Sequence, residues 1–110
     1  MPITVNGIEI TDAAIHAEMR RHPAPSRELA EYSAKLGLIA TELLLQEAAR
    51  LEIGGVDEDT RIAALIEREV GNYPSENETH RAISRYLSIL MGRATIHGID
   101  LLGAGSPLMR

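Results

Sequence analysis

The sequence predicts a mainly α-helical fold: about four helices, with a small β-hairpin sheet joining the N- and C-terminal segments. Three observations carry this expectation. An Asn6-Gly7 pair separates two short alternating runs near the front of the chain. Between Pro25-Ser26 and Gly54-Gly55 a long stretch repeats its apolar residues at helical spacing. Further on, Ser75-Glu76-Asn77-Glu78 has the spacing of a capping box in front of another periodic run.

Taken in order, Ile3-Thr4-Val5 and Ile8-Glu9-Ile10 flank the Asn-Gly pair, and their apolar residues alternate with Thr4 and Glu9. Asn-Gly suits a type I′ turn because both central positions need positive φ. A lone hairpin is marginal in water, so it needs a helix beneath it or a further strand. The alternating segment Ala94 to Leu101 is the expected third strand, which brings the two ends of the chain together. Thr11 or Asp12 caps a first helix that runs to about Arg21, with Ile15 and Met19 on one face. Pro23 and Pro25 stop it, since proline cannot donate to the helical ladder. Ser26 caps the second and longest helix, about residues 27 to 52, in which Leu29, Tyr32, Leu36, Ile39, Leu43 and Leu51 trace a stripe. Leu38, Leu44 and Leu45 widen that stripe until the helix is apolar on most sides, as expected of a central helix covered by neighbours or by a second subunit of a homodimer. A third helix opens at Asp57 or Asp59 and buries Ile62, Leu65, Ile66 and Val70; a fourth follows Ser75 and carries Ile83, Leu87, Leu90 and Ala94. Residues 103–110, rich in Gly and containing Pro, read as a loose tail. The whole chain, 1–110, reads as one domain.

Composition excludes several function classes. Eleven Lys and Arg stand against 16 Asp and Glu, a net charge of −5, and affinity for nucleic acid comes largely from neutralising phosphates. Three Tyr with no Phe or Trp leave no aromatic platform for stacked bases. No nucleic-acid partner is expected. The absence of Cys removes disulfides, thiolate zinc sites and thiol nucleophiles. The most apolar stretch, Leu36 to Leu45, is about half the length that spans a bilayer, so no membrane partner is expected. The N-terminus has neither the basic region nor the apolar run of a signal peptide, which makes the cytoplasm the expected location.

Catalytic and metal motifs are missing. His16, His22, His80 and His97 do not fall into a metal-ligand pattern; Glu76 and His80 share a helix face but supply only two of the three or four ligands a metal needs. No serine sits in a Gly-x-Ser-x-Gly elbow, and Gly103-Ala104-Gly105 precedes no helix, so no phosphate cradle forms there. Asp57, Glu58, Asp59, Glu67 and Glu69 make an acidic, solvated third helix. No cofactor and no enzymatic activity are expected. Arg20-Arg21-His22 and Arg27 form a small basic cluster around the two prolines.

Two phrases carry a family resemblance. The front one runs Val5-Asn6-Gly7-Ile8-Glu9-Ile10 and continues through His22-Pro23-Ala24-Pro25-Ser26-Arg27; the rear one is Gly92-Arg93-Ala94-Thr95-Ile96-His97-Gly98-Ile99-Asp100-Leu101. Together they resemble the two flanks of the parvulin-type peptidyl-prolyl isomerases of the nitrogen-fixation maturation (NifM-like) kind, with residues 3–72 as front flank and 75–102 as rear flank. In that family the flanks form a helical, chaperone-like domain from which the isomerase projects. Here the flanks are nearly fused around Tyr73-Pro74-Ser75-Glu76, and no position matches the parvulin catalytic residues. The resemblance therefore implies a non-catalytic chaperone or assembly factor for a protein client, such as a metalloenzyme subunit. The expected client surface is a groove between the second and fourth helices, with Leu36, Leu43, Tyr86, Leu90 and Met91 as its apolar wall and Arg20, Arg21 and Arg27 as its polar rim. A permanent regulatory or structural subunit of a larger enzyme complex is the alternative expectation.

Overall fold

Asn6 and Gly7 stand at φ 52° and 86°, the positive pair that a type I′ turn demands, and the strands they join are β1 (Ile3–Val5) and β2 (Ile8–Ile10). This computed structural model describes residues 2–99. The tail expected at 103–110 and the end of the expected last strand lie outside the described residues. Four helices follow the hairpin: α1 (Asp12–Met19), α2 (Arg27–Arg50), α3 (Glu58–Glu69) and α4 (Glu76–Arg93). A two-residue strand, β3 (Ile96–His97), pairs antiparallel with β1, so the sheet order is β2-β1-β3 and the first strand meets the segment after α4 as expected. The fold is mainly α.

Each helix begins at a side chain suited to the task. Thr11, Ser26, Asp57 and Ser75 all have extended backbones and accept a hydrogen bond from the amide three residues on, satisfying one of the donors a helix start leaves open. At α4 the Ser75 hydroxyl takes the Glu78 amide at 3.2 Å, while the Glu78 carboxylate accepts from that hydroxyl at 3.3 Å. The ends are equally local. Gly71, at φ 90°, follows α3 and donates to the Ile66 carbonyl.

Helix α2 is the axis around which the rest assembles. Its 24 residues reach about 36 Å. Ala34, Ile39, Leu43, Leu44 and Ala48 are buried on it, and α1, α3, α4 and β1 all pack against it. Ile3, Val5, Ile10, Ile15, Leu65 and Leu90 complete one aliphatic core. Fully burying a side chain such as Ile39 or Leu65 contributes on the order of 2 kcal/mol.

Two expected core positions are on the surface. Ile8 lies directly across from Val5 on the same face of the sheet, yet Val5 is fully buried and Ile8 is 51% exposed, because β2 is the edge strand and Ile8 sits at its turn end. Leu29, in the first turn of α2, is 53% exposed. Conversely, Ala82 of α4 is buried although its small side chain gave no strong periodic signal.

Candidate functional site

The second half of α2 places Leu43, Gln46, Glu47 and Arg50 at the i, i+3, i+4, i+7 positions of one face. Across from them, the end of α4 presents Leu90, Arg93 and the following Ala94, and the hairpin turn contributes Asn6. These residues enclose a cleft of about 310 Å³. Leu43 and Leu90, 3% and 5% exposed, are core residues at its base. Its accessible lining is mixed, with polar head groups at the rim and slightly more apolar than polar surface within.

A hydrogen-bond network fixes that rim. The Asn6 side-chain amide donates to Gln46 Oε1 at 2.8 Å, and Gln46 Nε2 donates both to the Val5 carbonyl at 3.0 Å and to Glu42 Oε2 at 2.9 Å. Asn6 also receives the Thr95 amide on its Oδ1 and gives its own amide to the Thr95 carbonyl, each at 2.8 Å. The turn, the central helix and the segment after α4 are thereby tied at one point. Beside them the largely buried Glu47 carboxylate accepts from Arg50 Nε at 2.9 Å and from a terminal nitrogen of the same guanidinium. Arg93 comes within 4.0 Å of Glu47. The hydrogen bond from Arg50 holds the Glu47 carboxyl below its ordinary range, with the charges of Arg50 and Arg93 adding to it and burial opposing.

A second concavity, about 190 Å³, lies on another side of α4. Val70, Tyr73, Ala82, Tyr86 and Ile89 line it together with Glu69 and Arg85. Tyr73 and Ile89 are large apolar side chains left 41% and 58% exposed here. Tyr86 lines this concavity, and burial first, then the negative charges of Glu47 and Glu69, push its hydroxyl's pKa up. That hydroxyl is buried and has no hydrogen-bond partner among the described residues.

The structure brings together part of the surface expected from the sequence. Leu43 and Leu90 do meet between α2 and α4, and Tyr86 and Met91 are half-buried beside them. Leu36 is half-buried about 10 Å further back along α2. The expected basic rim is elsewhere. Arg20 and Arg21 follow the end of α1, and Arg27 opens α2, about 24 Å along the helix from Leu43 at 1.5 Å per residue over 16 residues. The rim of the cleft is instead Arg50 and Arg93, with Asn6, Gln46 and Glu47. Spacing alone could have found the two arginines: Arg50 is seven residues after Leu43 and Arg93 three after Leu90, each on the same helical face as its leucine. Asn6 could not be found that way, because its contact with Gln46 spans 40 residues of sequence.

The described residues contain no group of three or more His, Cys, Asp or Glu placed to hold a metal ion. No described helix is long and apolar enough to cross a membrane. Comparison with protein-family models, with curated proteins and with solved structures gave no match to this chain.

Proposed function

We propose that this chain is a non-catalytic protein-binding module, a chaperone or assembly factor of the sort the resemblance implies, and that it holds its protein partner along α4. The observation that supports this most is the setting of that helix. Concavities flank it on more than one side, and the exposed Ile89 and Tyr73 lie in one of them. Apolar groups that remain exposed in and around a concavity favour association with a partner over solvent. The cleft on the other side, with its well-bonded polar rim, supplies the directional contacts that an apolar patch lacks.

This reading moves the expected binding residues outward. Leu43 and Leu90 shape the surface from beneath, while Ile89, Tyr73 and Arg85 would touch the partner. A light-scattering assay on a chemically denatured, aggregation-prone client tests it. The wild-type chain suppresses aggregation near stoichiometric amounts, and Ile89→Arg, at an exposed site, loses most of that effect while keeping its helical circular dichroism. Equal suppression by both proteins, or none by either, contradicts the proposal.

A further inference from the structure

The cleft between α2 and α4 carries positive charge that the fold leaves partly unused. Glu47, Arg50 and Arg93 sum to +1 in a chain whose net charge is −5. Glu47 takes two of the five N–H donors of Arg50. Arg93 stands 4.0 Å from the same carboxylate, an ion pair beyond hydrogen-bond distance, so its planar fork has no hydrogen bond to Glu47. Both arginine side chains are 61% exposed. By contrast, the Asn6 and Gln46 amides are already committed to each other, to the backbone and to Glu42. The donors left facing the cleft are therefore guanidinium N–H groups, and the base beneath them is aliphatic: Leu43, Leu90 and Ala94.

We propose that this cleft is a carboxylate-binding site that receives the C-terminal carboxylate of a peptide together with its aliphatic last side chain. Guanidinium pairs a carboxylate through two parallel N–H···O bonds, a match of shape as well as charge. Arg93 supplies that fork, and Arg50, held in place by Glu47, adds a second cation at a fixed position. The aliphatic base favours a carboxylate attached to a hydrocarbon over a bare inorganic anion. A cleft of about 310 Å³ has room for a terminal residue and part of its predecessor. The inference goes beyond the chaperone reading and does not depend on it, since it stands on the two guanidinium groups of the α2–α4 cleft, whereas that reading stands chiefly on the exposed apolar patch around Ile89.

The test is a titration of the isotopically labelled chain with N-acetyl-leucine, followed through the arginine Nε–H and the Asn6 and Gln46 side-chain amide resonances. N-acetyl-leucinamide and inorganic phosphate at matched ionic strength are the comparison ligands. The expected result is saturable shifts at Arg50 and Arg93, none with the amide, and at least tenfold weaker binding of phosphate. Arg93→Gln weakens N-acetyl-leucine at least tenfold, and Arg93→Lys, which keeps the charge but not the fork, does so less. Arg81→Gln, at an exposed position near the start of α4 and outside the cleft, leaves binding unchanged. Equal shifts at every exposed arginine, equal affinity for phosphate, or binding indifferent to Arg93→Gln overturns the proposal, as does the absence of saturation. A chain that binds N-acetyl-leucine but does not suppress aggregation keeps this site and loses the chaperone reading; the opposite pattern loses the site alone.

Discussion

Gly98 shows how much one residue can constrain the approach of the segment after α4 to β1. Its φ is +90°, and a Cβ placed there would overlap the Pro2 carbonyl oxygen and crowd the adjoining backbone of Pro2 and Ile3. Backbone cannot yield as a flexible side chain does, so Gly98→Ala carries both the left-handed strain and the clash. We expect it to destabilise the fold by about 2–3 kcal/mol in urea unfolding. Gly7 has almost the same φ but open space around its missing Cβ, so Gly7→Ala should show the backbone strain alone, about 1 kcal/mol. If the two variants cost the same, β1 and the chain after α4 do not approach as closely as described. Tyr86 offers the opposite case. Its hydroxyl is buried without a partner among the described residues, and an unsatisfied buried hydroxyl costs more than the apolar group that replaces it. Tyr86→Phe should therefore raise stability by about 1 kcal/mol; a clear loss would mean that the hydroxyl is hydrogen-bonded in solution. Leu43, expected from the sequence to face a client, is 3% exposed. Leu43→Ala should cost about 2–5 kcal/mol of stability, the penalty of a core cavity, and a cost below about 1 kcal/mol would return Leu43 to the surface.

At the scale of elements, the sequence was most legible where local chemistry decides the outcome. The Asn6-Gly7 turn, the stops at Pro23 and Gly54, and the caps Ser26 and Ser75 act within a few residues, and all four helices fall close to where these signals put them. The sequence was less informative about which face of each element ends up covered. Ile8 and Leu29 have the periodicity of core residues, but an edge strand and a first helical turn are places where the neighbouring elements run out. The rim of the cleft was illegible for a related reason. Asn6, Gln46 and Arg93 come from three separate stretches of the chain, and only the packing of α4 against α2 places them side by side. Helix α2 also accounts for a response to acid. The folded Glu47 has a lowered pKa, so it contributes stability above the ordinary carboxylate range and loses it as pH falls through its folded value. Glu31, bonded to Lys35, and Asp57, bonded to Thr60, act in the same direction. Urea midpoints measured between about pH 3 and 6 should therefore fall toward acid, and Glu47→Gln should flatten that limb without abolishing it. An unchanged limb would mean that the Glu47–Arg50 pair does not form.

For the whole molecule, α2 is the helix on which the other elements pack, and the proposed function makes α4 the helix that meets the partner. The hairpin and β3 close the chain on itself near one end of the cleft, and the network through Asn6, Gln46 and Thr95 fixes that end against α2. Helix α4 has core contacts on one side through Ala82 and Leu90, and on its other sides it borders concavities. On the proposed reading, a well-packed centre with one helix open on its flanks suits the holding of a partner, because binding residues set in advance cost little conformational freedom on binding. The basic cluster at Arg20, Arg21 and Arg27 belongs to the far end of α2, where Glu18 pairs with His22 at 3.0 Å and lies 4.0 Å from Arg21. The proposal that α4 holds the partner is tested most directly by methyl NMR of the labelled chain with saturating unfolded client. The Ile89 and Val70 methyl groups should shift or broaden, while Ile8 on the sheet edge and Ile15 on the buried face of α1 stay unchanged. Perturbations centred on Ile8 or Ile15, or none anywhere, would contradict it.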